Sequence, residues 1–170
     1  MKRFSVIVSI IILLCCCTRQ SAQLPSNKAT ISDEKMDMMT YNKMCIEAEM
    51  AEIGAYLDSS SVEFIKSDAG YWYKVVNFNK GTKVNDIVTI SGTVQVLGGT
   101  PCKELDSLTL RLGKRDHTKV LDLALVNAHV GDEIWIISPS SLAYGIKGIS
   151  NCITSRTPVL YKIKVLKTNE

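Results

Sequence analysis

Histidine is scarce in this chain: His117 and His129 are its only two in 170 residues. Its six cysteines include no C-x-x-C spacing. With so few ligand residues the chain carries no metal site, and it is read as working without a cofactor. No stripe of lysine and arginine interleaved with aromatics occurs, and the net charge is only +3. That excludes nucleic acid as a partner. Long apolar runs are missing too. The longest, Phe4 to Leu14, falls short of the roughly 20 residues that a membrane-crossing helix needs.

The composition that remains is globular, 46% hydrophobic and 22% charged. A length of 170 residues fits one domain with appendages. Residues 1–17 read as a targeting segment. Lys2 and Arg3 supply the positive start, the apolar run follows, and Leu14 leads into Cys15-Cys16-Cys17. A leucine three residues before a cysteine resembles a bacterial lipobox. The resemblance implies lipidation at Cys17, with Leu14 in the leucine position, or at Cys16 with Leu13. It also implies more than one acyl chain, as stable anchoring requires. Residues 18–32 are small and polar, a tether between membrane and domain. No acidic run follows the cysteines. By analogy with lipoproteins of the Bacteroidetes kind, this points to a lipid-anchored protein of the cell envelope facing the periplasm.

Residues 33–60 predict a helix. Ser32 or Asp33 can cap it, and Asp58-Ser59-Ser60-Ser61 ends it. Met36, Met39, Lys43, Ile46, Met50, Ile53 and Leu57 recur at spacings of three and four. That stripe is expected to pack on the flank of the domain.

Residues 61–170 form the domain. Strand-like segments are expected at Tyr71 to Phe78, Val84 to Ile90, Gly92 to Leu97, around Leu108 to Leu112, and at Ile134 to Ile137. Glycine turns separate several of them, and Pro139 ends the last because it cannot donate to a ladder. One further helix is expected from Lys119 to Ala128. Leu121, Ala124, Leu125 and Ala128 give it an apolar face that needs a broad cover. The fold class is therefore α+β: a curved antiparallel sheet wrapped on one short central helix, with an N-terminal helical extension.

Val130 to Gly145, VGDEIWIISPSSLAYG, combines a Gly-Asp turn, a strand, a proline and Leu-Ala-Tyr-Gly. This resembles the signature of FKBP-type peptidyl-prolyl isomerases. Leu105-Asp106-Ser107, Leu112-Gly113-Lys114, Ile153, and Thr157 to Val165 match other elements of that family in order. The likeness runs from about Gly70 to Leu166. It implies proline-containing polypeptides as partners. It also implies a pocket in which Tyr144 offers its hydroxyl to a substrate carbonyl and Asp106 sits at the polar edge. Leu105, Ile153 and Tyr161 would form walls, Leu121 the floor, His117 and Thr118 the lip, and Ile90 would replace a wall tyrosine. Cys102 and Cys152 would come to the pocket side, which leaves open a bridge between them or free thiols.

Such a site has a simple task. Rotating a prolyl amide meets a barrier of about 18–20 kcal/mol because resonance is lost on twisting. No nucleophile, metal or acid–base pair is required. A dry apolar pocket with one or two placed donors suffices. The resemblance also carries departures. Leu121 stands where strongly active members have tryptophan, and Leu105 where they have phenylalanine. The loop after Asp106 is short. Two expectations follow: an envelope isomerase acting on exported chains, or a degenerate domain that binds protein without turning it over.

Overall fold

The computed structural model describes residues 37–76, 81–149 and 151–169. The signal segment, the tether, Cys16, Cys17 and Met36 lie outside the described residues. The chain divides into two units, Met1–Asp37 and Met38–Glu170, and the architecture is that of the second. Helix α1 spans Met38–Ser59. Strands follow as β1 Ile65–Lys66, β2 Trp72–Val75, β3 Ile87–Val96 and β4 Pro101–Arg111. Helix α2, Lys119–Ala124, precedes β5, Glu133–Ser138, and β6, Val159–Asn169. All six strands join one antiparallel sheet in the order β1-β2-β5-β6-β3-β4. The expected α+β class is the observed one.

Alternation along the strands sorts side chains to two faces. Ile134 and Ile136 of β5 join Val159, Tyr161, Ile163 and Val165 of β6 on the inner face. There they meet Val120, Leu121 and Leu125 from and beside α2. Burying each such side chain contributes about 1.5–3 kcal/mol. Ile137 and Leu160 point the other way and pack with Trp72 and Ile53 in a smaller outer cluster.

Two expected strands, 84–90 and 92–97, are one. β3 runs through, and its register slips at Ser91 against β4. Gly92 makes this feasible at φ +152°, where a Cβ would collide with the Lys162 carbonyl and the Ile163 Cα. The chain kinks there without losing its ladder to β6. Helix α2 is shorter than the pattern predicts. Thr82 intervenes: its carbonyl accepts the Asn127 amide at 2.8 Å and its amide donates to the Ala128 carbonyl at 3.0 Å. These backbone groups are thereby tied to Thr82 rather than to another helical turn.

α1 corrects the sequence reading most. Its expected stripe docks only at its end, through Ile53 and Leu57. Met39, Ile46 and Met50 are 78%, 57% and 37% exposed. The buried positions are Glu49 and Ile53. Only the last turns of the helix lie over the apolar outer cluster, where Tyr56, Leu57 and Phe64 flank Ile53. Further back the helix meets Ser140 and Arg156, so polar residues face inward there. Cys45, half-buried on this helix, is a free thiol. Among the described residues no helix is long and apolar enough to cross a membrane.

Candidate active site

Strand β5 stops at Ser138 because Pro139 follows, and one turn of 3-10 helix, Ser140–Leu142, turns the chain back. The Ser140 carbonyl accepts the amides of Ala143 at 2.9 Å and Gly145 at 2.8 Å. The Gly148 amide donates to the Tyr144 carbonyl at 3.1 Å. Tyr144 is thus presented by a short loop with few free backbone groups.

Its ring lies offset over Tyr161, with centroids 6.3 Å apart and planes at 23°. His117 meets it edge-on at 6.4 Å. The Lys103 ammonium sits 5.8 Å from the ring centroid, within cation–π range. The Tyr144 hydroxyl is buried and has no hydrogen-bond partner among the described residues. Burial pushes its phenol upward in pKa, and the neighbouring Tyr161 hydroxyl offsets this in part. The two oxygens still fall outside hydrogen-bond geometry. Tyr144 is thus packed among Tyr161, His117 and Lys103.

The expected walls come together. Ile90, Leu105, Leu121, Ile153 and Tyr161 are all buried in the inner cluster, and Tyr144 packs against it. Tyr161 is not a plain apolar wall: its hydroxyl pairs with the Thr118 Oγ1 at 3.1 Å. Burial, then Tyr144, holds the Tyr161 phenol well above its ordinary pKa. His117 is half-buried, and desolvation, then Lys103, lowers its pKa against an opposing pull from Asp122. Asp106 is the outlier. It is exposed, at the bulge opposite Ser91, and its carboxylate has no partner among the described residues.

Cys102 and Cys152 are bridged, with Cα atoms 5.7 Å apart. The bond ties the start of β4 to the loop holding Ile153. That loop is pinned again where the Ile149 amide meets the Ile153 carbonyl at 2.8 Å. A shallow cavity of about 400 Å³ borders the bridge, lined by Val96, Pro101, Cys102 and Cys152. Another, about 240 Å³, lies among Tyr71, Tyr73, Leu123, Val126 and Ile134 and shares no residue with the Tyr144 group.

Sequence reading missed Lys103 and the Thr118–Tyr161 bond. Alternation could have found the first: Leu105 faces the core, so Lys103, two residues earlier, shares its face. The second had no signal beyond a hydroxyl on each residue. Chemically, the assembled group offers one donor without an acceptor, set against a dry apolar wall. Its Thr118 hydroxyl lies 3.4 Å from the His117 Nδ1 and 3.1 Å from the Tyr161 hydroxyl, and a site for amide rotation needs no nucleophile.

Comparison with known proteins agrees. A family model described as FKBP-type peptidyl-prolyl cis-trans isomerase matches residues 79–166. Among solved structures, a peptidyl-prolyl cis-trans isomerase from Pseudomonas syringae pv. tomato is similar at 17% identity. The match has a TM-score of 0.63 and covers 76% of this chain and 96% of that one. No curated protein sequence matches the chain. The signature around Tyr144, the sheet closed on α2 and the matched family model lead to one conclusion: the chain belongs to the FKBP-type peptidyl-prolyl cis-trans isomerases.

Proposed function

We propose that this isomerase is tethered to a membrane by lipid on Cys17 or Cys16 and acts on X-Pro bonds of exported proteins, on the periplasmic side. The observation that carries the site is the Tyr144 hydroxyl, buried against Tyr161 and without a partner among the described residues. A buried unpaired donor costs about 1–3 kcal/mol. A substrate carbonyl arriving there would relieve that cost. Leu105, Leu121, Ile153 and Ile90 would hold the pyrrolidine ring in surroundings that favour the twisted amide, with His117 and Thr118 at the lip.

The tether reading is supported by the lipobox-like start and by the Cys102–Cys152 bridge, a bond of oxidising compartments. The binding-only reading has its own support in Asp106, exposed and unpaired where a polar edge was expected.

A proline-limited refolding assay with the full chain decides between them. Acceleration of the slow phase, reduced in Tyr144→Phe, supports catalysis at this site. No acceleration at micromolar protein, with proline-peptide binding intact, selects the binding-only reading. A wild-type chain that takes up no acyl-chain analogue would refute the tether, and labelling that survives substitution of both Cys16 and Cys17 by alanine would refute those cysteines as its site.

A further inference from the structure

The same loop that presents Tyr144 carries a second feature that the reaction does not explain. Ser140 begins the 3-10 turn, and its amide and hydroxyl both bond to one side chain 91 residues away, Glu49 of α1. One carboxylate oxygen accepts the amide, and the other accepts the hydroxyl at 3.0 Å. Glu49 is buried and has no ion-pair partner among the described residues.

If adhesion were all that α1 supplied, an apolar residue would serve better. A buried carboxylate without a cation carries a desolvation cost that leucine would not. What the carboxylate adds is direction: two acceptors aimed at two donors of one residue. Ser140 then passes that constraint on. Its carbonyl accepts the amides of Ala143 and Gly145, which bracket Tyr144. The Gly145 carbonyl in turn accepts the Arg156 amide at 2.9 Å. The Arg156 guanidinium donates back to Asn42 of α1 at 2.7 Å and lies 5.6 Å from the Tyr41 ring. Asn42 and Glu49 are two turns apart on one helix face. α1 therefore grips the Tyr144 loop at Ser140 and the loop after Ile153 at Arg156.

We propose that Glu49 is a positioning residue for prolyl isomerisation, holding Tyr144 in register through Ser140, so that α1 is part of the working unit. This rests on the reading of Tyr144 given above. Glu49 touches no substrate. It sets where the Tyr144 hydroxyl waits.

The test is a double-mutant cycle in the full chain, with kcat and KM measured on a proline peptide. Glu49→Ala is expected to lower kcat/KM about tenfold, the scale of one lost directional hydrogen bond, with kcat carrying most of the loss. In a Tyr144→Phe background the same change is expected to cost less than about twofold. Equal losses in the two backgrounds overturn the proposal, since a purely structural role would act alike on both. Glu49→Gln goes through the same cycle if the alanine variant does not fold. Amide hydrogen exchange, measured without substrate, tests the same link independently of turnover. The Ala143 and Gly145 amides are expected to exchange faster in Glu49→Gln while the Leu125 amide beside α2 holds its rate. Unchanged exchange at Ala143 and Gly145 overturns the proposal. A wild-type chain without activity would refute the isomerase reading instead, and the exchange rates would still decide the role of Glu49.

Discussion

The two faces of the sheet are held by different physics. On the inner face, nineteen of the described residues form one continuous buried cluster around α2, and the polar groups sit at its rim. On the outer face, four of the described residues make a small buried patch under the end of α1. The rest of that face is charged and aromatic. Lys162 lies 4.3 Å and Lys74 5.9 Å from the Trp135 ring centroid. The contrast teaches where stability and geometry come from. The inner face folds the domain by area removed from water. The outer face buries little and specifies more, through Glu49 and Arg156.

The largest expected effect breaks the inner face at its edge. Replacing Cys102 and Cys152 by serine opens a loop with a sequence separation of 50. Chain entropy alone then predicts a loss of about 4 kcal/mol, read by denaturant unfolding. Core truncation sharpens the comparison. Leu121→Ala and Ile53→Ala should each cost about 2–5 kcal/mol. Leu121→Ala should also weaken proline-peptide binding, whereas in Ile53→Ala KM should hold. Equal effects of the two on KM would erase the division between faces.

A smaller pair of changes probes the rim. Tyr161→Phe removes the nearer of two partners of the Thr118 hydroxyl and leaves it His117 Nδ1 at 3.4 Å, and it should cost about 1 kcal/mol. Tyr144→Phe removes a buried donor that has no partner, so it should stabilise by about 1 kcal/mol while slowing turnover. A destabilised Tyr144→Phe would mean that the hydroxyl is satisfied after all. The smallest effect is in pH. The folded-state pKa of His117 lies below its ordinary value of about 6.5. The unfolded chain therefore takes up that proton first as pH falls. The contribution is fully present above about 6.5 and is lost as pH drops from there through the lowered folded value. His117→Asn should flatten this part of the stability curve.

The same division explains what was legible in the sequence. Inner-face residues announce themselves by alternation, as Leu110 and Leu112 do, by helical spacing, as Leu121 and Leu125 do, or by a matched signature, as Leu105 and Tyr144 do. α1 misled because periodicity reports apolarity, not what lies opposite. Met39, Ile46 and Met50 have the right spacing, but the docked face is set by Ser140, Arg156 and a limited apolar patch. A glutamate at a buried helix position has no sequence mark when its partner is a serine 91 residues on. Asp106 shows the converse. Its place in a familiar motif predicted a polar edge, yet the bulge at Asp106 and Ser107 leaves its carboxylate in solvent.

Both tryptophans, Trp72 and Trp135, belong to the outer cluster. Intrinsic emission from this protein is therefore a gauge of helix undocking, shifting red as Trp72 meets water. A peptide settling beside Tyr144 would leave that signal dark, so titrations need a fluorophore on the peptide itself.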